Sequence, residues 1–367
     1  MKALRVETVA IRNLRNIERA DLASLPRFTV LSGDNGQGKT TVLEAIYLVC
    51  TSRSFRTAKL AETVTHGAPS ASVRAAFVEG EETREQVVGL EGSRRRVTLD
   101  GKRPPTLAGY AVQSPVVVFH PGELMLSAGS ASKRRTLLDR IALFIDPTST
   151  DHQQRYTAAS RSRQRLLEMG GSSAAGLEAF EKLMIEHGRG LGRGRAEAVR
   201  RLSVPLVDFF ERITKDARPL EADYDPGGPE DEAVLAGILA RDRERDRRRG
   251  SAGVGPHRDD LVLSLGGHDV RAYASQGEHR AVTMALKLAE LASIAAARGI
   301  QPILLLDDVS SELDVARTAR LFDCLREDPG QILLTTTRPE LIDTPYLSRA
   351  ERRDYRLERG VVSDVTA

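Results

Sequence analysis

The segment Gly33-Asp34-Asn35-Gly36-Gln37-Gly38-Lys39-Thr40-Thr41 constrains the fold more than any other part of this chain. It follows the apolar run Phe28-Thr29-Val30-Leu31 and precedes an apolar stretch from Val42 to Leu48. A buried strand, a glycine turn and a helix start, in that order, form a phosphate loop. The glycines let backbone N–H groups curl around phosphate oxygens, which side chains would block. The helix N-terminus adds a partial positive charge. In this pattern Lys39 reaches the β and γ phosphates of a nucleotide, and the Thr40 hydroxyl ligates Mg²⁺. A glycine turn with a stray lysine is the competing account of the segment taken alone.

Two further segments answer it. Pro302-Ile303-Leu304-Leu305-Leu306-Asp307-Asp308 is an apolar run ending in paired carboxylates. It describes a central parallel strand whose C-terminal end opens on the ligand crevice. Asp307 is placed to hold Mg²⁺, and Asp308, one residue on, to polarise the attacking water. Ala274-Ser275-Gln276-Gly277-Glu278 opens a helix in which Ala281, Met284, Leu288, Leu291 and Ala295 recur at helical spacing. Ser275 caps that helix, and Gly277 permits close approach by another molecule. An ordinary capping turn would explain this stretch were it not about thirty residues before the acidic strand. The order and spacing resemble the ABC-type ATPases. In these, the serine–glycine signature of one subunit closes on nucleotide held by another, so the resemblance implies nucleotide contacts from Ser275, Gly277 and Glu278 and an ATP-dependent homodimer.

The 367 residues allow about two domains, and 41% hydrophobic with 29% charged residues fits a globular protein. No apolar run approaches the roughly 18 to 20 residues of a membrane helix, and the start Met1–Arg15 reads as a strand, not a signal peptide. Cys50 and Cys324 each lie in an apolar segment, as buried free thiols of a reducing cytoplasm would. A net charge of +3 is too small to argue nucleic-acid binding by itself. The basic residues are clustered, however, at Arg94-Arg95-Arg96, at Lys133-Arg134-Arg135 and from Arg241 to Arg249. The last run interleaves Asp242, Glu244 and Asp246 and reads as a solvated helix. The first sits in a hairpin that either tracks phosphates or is a plain exposed turn.

Short strands dominate up to Val118, with antiparallel character at Val73–Val78 and Arg96–Leu99. After Gly129 the chain is rich in Arg, Glu, Leu and Ala and reads as helices, broken at Gly170–Ser173 and Pro226–Pro229. Strand character returns at Leu261–Leu265 and continues through Gln331–Thr335. The expected architecture is an α/β ABC-type ATPase head with mixed sheets, split in sequence by an inserted helical lobe. Its parts are residues 1–128 and 253–367 for the ATPase domain and 129–252 for the lobe.

Several stretches narrow the class. Ile11-Arg12-Asn13-Leu14-Arg15-Asn16, Arg53-Ser54-Phe55-Arg56, Val117-Val118-Phe119-His120-Pro121, Ser132–Asp139 and Gly255-Pro256-His257-Arg258-Asp259-Asp260 together resemble the RecF family of DNA-repair ATPases. The resemblance runs over nearly the whole chain. It implies that Gln113 lies in the loop that senses the γ phosphate and Mg²⁺, and that Ser310-Ser311-Glu312-Leu313-Asp314 contacts the opposing subunit. It departs from most ABC ATPases at Asp308, where they carry glutamate, and at Thr335-Thr336-Thr337, where many relatives have a histidine on the γ phosphate. The shorter Asp308 side chain implies slow turnover.

The function implied is a cytoplasmic, weakly hydrolysing, Mg²⁺-dependent ATPase that dimerises on ATP around double-stranded and gapped DNA. With mediators of the RecR and RecO type it would help place a recombinase on single strands. Arg53 and Arg56, then Lys133, Arg134 and Arg135, are the DNA-contact candidates, with ion pairing inside the fold as their alternative role. A transporter-type ATPase motor and a nucleotide-regulated scaffold without useful hydrolysis are the rival readings.

Overall fold

The computed structural model describes residues 2–169, 174–308, 315–327, 330–342, 347–348 and 350–366. The chain forms two compact units, one of residues 1–123, 208–216 and 280–367, the other of 124–207 and 217–279.

The first unit carries two sheets. One runs in the order Val361–Asp364, Arg352–Glu358, Phe28–Ser32, Ile332–Thr336, Ile303–Leu306, Val116–Phe119. All its neighbours are parallel except the terminal hairpin of Arg352–Glu358 with Val361–Asp364. Its central strands are buried at every position and mostly apolar because both faces are covered. The other sheet is mainly antiparallel and contains Lys2–Leu14, Ile17–Leu22, Ala71–Glu79, Glu82–Glu91 and Arg94–Leu99. Here side chains alternate, so Val9, Ile11, Val73, Ala75 and Val88 face inward and every second residue faces out. Helix Lys39–Thr51 is buried along almost its whole length, in one apolar cluster with the inner faces of both sheets. The strands expected at 73–78 and 96–99 are both present, but Glu82–Glu91 lies between them.

The second unit is mostly helical, with Ala131–Ile145, Ser149–Met169 and the first part of Ala174–Thr214. A three-stranded sheet of Leu220–Asp225, Asp260–Leu265 and His268–Asp269 completes it. The strand read at 261–265 therefore pairs with this sheet and not with those of the ATPase halves. Buried ions tie the unit together. Arg163, 1% exposed, bonds Glu181 and Asp246, and Arg195 bonds Asp139 and Asp259. The run Arg241–Arg249 is a solvated surface as expected, with Glu244 paired to Arg247 and Arg248. Asp246 is its buried exception. The break at 170–173 lies outside the described residues. Cys50 and Cys324 are buried free thiols, and burial pushes both thiol pKa values up. No helix among the described residues is long and apolar enough to cross a membrane.

Candidate nucleotide site

The strand Phe28–Ser32 delivers the chain to the loop at its C-terminal end, where ligands of parallel sheets bind. Gly33 has φ 142°, and a Cβ there would lie 2.4 Å from the Leu357 carbonyl oxygen. Only glycine fits so close a neighbouring strand. Gly38, at φ 110°, caps helix Lys39–Thr51 without any side-chain hydrogen bond, and the first helical turn holds no acid. Its leading N–H groups are thus presented to an anion. Lys39 is 8% exposed and its Nζ donates to the carbonyls of Gly33 (2.7 Å) and Asp34 (2.8 Å). Burial lowers its pKa, against the opposing pull of Asp308, Asp307 and Asp34.

The loop is braced from three directions. Asn16 donates to the Gly36 carbonyl (3.0 Å) and accepts from the Thr41 hydroxyl (2.9 Å). Gln37 accepts from the backbone N–H groups of Arg359 and Gly360 in the C-terminal hairpin. Behind the loop, the fully buried Glu44 receives Arg15 through two bonds (3.0 and 3.1 Å), Arg56 (3.2 Å) and the Ser54 hydroxyl. The stretches 11–16 and 53–56 therefore meet on the helix that follows the phosphate loop.

The acidic strand ends beside it. Asp307, 6% exposed, accepts from the hydroxyls of Thr40 (2.8 Å) and Thr335 (2.8 Å). The N–H of Asp308 donates to the same Thr335 oxygen (2.9 Å), and Asp308 holds the left-handed conformation at φ 54°. Thr335 thus holds the carboxylate of Asp307 and the backbone of Asp308 through one hydroxyl. Hydroxyl and carboxylate oxygens are the hard donors that Mg²⁺ takes. Ligands at about 2.0–2.1 Å in adjacent octahedral positions lie about 2.9 Å apart. The 2.8 Å separation of Thr40 Oγ1 and Asp307 Oδ1 fits that pair.

One expectation is corrected. Val116 pairs with Ile303 and Phe119 with Leu306, so Gln113 precedes the strand at the end away from Asp307. Its side chain bonds the Gly109 carbonyl (3.3 Å) of the short helix Leu107–Ala111 that precedes it. The residues that follow the correct end are His120 to Glu123, and Asp307 N–H bonds the Phe119 carbonyl (2.8 Å). His120 accepts from Gly122 N–H, which leaves its Nε2 as the donor facing Glu123 at 3.3 Å. Strand direction was the signal that would have found this loop, since only residues after a parallel strand reach the crevice.

In the second unit, Ser275 and Glu278 form a capping box. Ser275 N–H donates to the Glu278 carboxylate (2.7 Å), and Glu278 N–H to the Ser275 hydroxyl (3.3 Å). Arg218, and then the Ser275 contacts, hold the Glu278 pKa down to about 2. Arg271 to Tyr273 and Ser275–Gln276 are exposed, with Tyr273 at 74%. Residues 310–314 lie outside the described residues.

The DNA-contact candidates separate. Arg134 is corrected: it is 4% exposed and bound to both carboxylate oxygens of Asp260 and to two carbonyls, so it holds the fold. Arg135 donates to the Asp259 carbonyl (2.8 Å) and Arg56 pairs with Glu44. Lys133 and Arg53 are exposed, and among the described residues neither has a carboxylate partner.

The sheets, the phosphate loop and the acidic strand define an ATPase head of the ABC and SMC type. A model described as the RecF/RecN/SMC N terminal domain matches residues 5–347. The Smc head domain from Pyrococcus furiosus shares the fold, with a TM-score of 0.54 at 15% identity over 99% of this chain and 96% of that one. Within that class the chain belongs to the RecF family of DNA replication and repair proteins. It is 38% identical to the RecF protein of an Anaeromyxobacter species over 98% of this chain and 99% of that one. With RecF of Myxococcus xanthus it shares 36% identity over 92% of each chain. The recombination mediator RecF of the RecFOR pathway, solved with ATP, superposes with a TM-score of 0.87 at 25% identity, covering 99% and 98% of the two chains.

Proposed function

We propose that this protein is an ATP-dependent DNA clamp of recombinational repair and replication-gap processing. The observation that carries the reading is the cluster in which Thr40, Asp307, Thr335 and Asp308 converge beside Lys39. Backbone N–H groups of Gly33 to Gly38 and the start of helix Lys39–Thr51 cradle the phosphates. Lys39 leaves its two loop carbonyls for the β and γ phosphates. Thr40 and Asp307 would hold Mg²⁺, which would neutralise charge on the phosphates. Asp308, fixed through Thr335, orients the attacking water and accepts its proton.

Ser275 and Gly277 close on nucleotide bound by a second copy, which the exposure of the signature turn supports. ATP thus joins two molecules on duplex or gapped DNA, and slow hydrolysis releases them to hand over to mediators of the RecR and RecO type. The family relatives are DNA replication and repair proteins, which favours this over a membrane motor. Sedimentation with and without ATP tests the reading. An ATP-induced dimer is expected, and a wild type that stays monomeric with ATP and DNA contradicts it.

A further inference from the structure

The arginine hairpin at 94–96 plays no part in the nucleotide site. In strand Arg94–Leu99, Arg95, Val97 and Leu99 turn inward, so Arg94 and Arg96 stand on the outer face, about 7 Å apart, both exposed. The sheet register places Arg96 opposite Gly89, Gly89 opposite Ser72, Ser72 opposite Arg12 and Arg12 opposite Arg19. One row across the outer face thus reads Arg19, Arg12, Ser72, Gly89, Arg96. Two small residues form a floor between arginine banks roughly 14 Å apart, three times the usual spacing of neighbouring strands. A Cβ at Gly89 would meet nothing within 4 Å, so the floor is open.

The acids on this face do not neutralise it. Arg12 and Arg19 share the single carboxylate of Asp21, Arg74 pairs with Glu85, and Arg94 stands opposite Glu91. Among the described residues Arg96 has no carboxylate partner. None of the large exposed apolar side chains belongs to these strands. A protein partner would want such anchors, whereas a phosphate backbone needs only cations. Arg95 also ties the hairpin to the ATPase core, because its guanidinium donates to the carbonyl of Ser52, the C-cap of helix Lys39–Thr51.

We propose that this outer sheet face, with Arg94 and Arg96 on one bank and Arg12 and Arg19 on the other, is a surface that holds the DNA backbone. The proposal rests on the DNA-clamp reading and adds a site that reading leaves open. Contacts to phosphates make binding independent of sequence and steeply dependent on salt.

The test is fluorescence anisotropy of a labelled duplex with the full chain and ATP, over a series of salt concentrations. R94A/R96A is compared with wild type and with R247A/R248A, which removes two exposed cations elsewhere. The hairpin variant is expected to bind roughly tenfold more weakly at 0.1 M salt and to lose about 1.8 from the log–log salt slope. The control is expected to match wild type, and all three proteins to keep their ATP affinity. Undiminished binding and slope in R94A/R96A would overturn the proposal, as would an equal fall in the control, which would make net charge the cause. Weakened binding of an acidic protein in place of DNA would also overturn it. Failure of the wild type to bind duplex at all would sink the clamp reading together with this surface.

Discussion

Thr335→Val probes the geometry that unites the two acids. The substitution keeps the shape and removes a hydroxyl that is 1% exposed. Two interactions go with it: the bond to Asp307 Oδ1 (2.8 Å) and the acceptor for Asp308 N–H (2.9 Å). Leaving that N–H without a partner costs about 1–3 kcal/mol, and the lost bond to a carboxylate adds about 1 kcal/mol, because Thr40 still donates to it. A destabilisation of about 2–4 kcal/mol should appear as a lower urea midpoint. The catalytic effect is more selective. Asp308 occupies a left-handed conformation that strains the backbone, and Thr335 holds it there. Releasing it should lower kcat about 10–100-fold, or roughly 1.4–2.7 kcal/mol of barrier. ATP affinity should change less than about threefold, since Lys39 and the glycine loop are untouched. Hydrolysis within twofold of wild type and an unmoved midpoint would refute the role given to Thr335.

Other consequences are equally specific. Glu44→Ala removes the carboxylate that compensates the largely buried Arg15 and should destabilise the protein by about 3 kcal/mol, the low end for a buried pair because Arg56 is partly exposed; unchanged urea unfolding would contradict this. Asp308→Asn tolerates the same backbone conformation, so it should bind ATP and accumulate ATP-stabilised dimers while phosphate release falls; unaltered phosphate release would remove Asp308 from the chemistry. The folded-state pKa of Glu278 is depressed to about 2, so its carboxylate stabilises the helix start above the ordinary value of 4.5 and loses that effect as pH falls toward 2. The thermal midpoint of wild type should exceed that of Glu278→Gln at neutral pH and converge with it in acid; a constant difference from pH 6 to 2.5 would argue against the charge.

The parallel sheet was legible because strands covered on both faces need apolar residues throughout, as in Phe28–Leu31 and Ile303–Leu306. The capping role of Ser275 was legible for an equally local reason, since Glu278 lies within its first turn. Long-range partners were not. Nothing near Arg134 in sequence announces Asp260, 126 residues away, as the acid that buries it. The pattern of Leu261–Leu265 marks a strand without saying that its neighbour is Leu220–Asp225. Gln113 precedes the run Val116–Phe119, and it was misplaced because the run alone does not show that it pairs parallel to Ile303–Leu306, which puts the residues after it at the nucleotide end. The brace from Arg359 and Gly360 onto Gln37 depends on a hairpin that joins the sheet only in three dimensions.

In the proposed dimer each ATP is enclosed by Lys39 of one copy and Ser275 of another. Mixing two defective variants tests it most directly. Lys39→Ala removes the main cationic partner of the β and γ phosphates, and Ser275→Arg obstructs the opposing nucleotide. Neither should sediment as a dimer alone with ATP. An equimolar mixture regains one complete site, built from the phosphate loop of the Ser275→Arg copy and the signature of the Lys39→Ala copy. It should therefore yield an ATP-dependent heterodimer. A wild type that dimerises with ATP beside a mixture that remains monomeric would contradict the shared site.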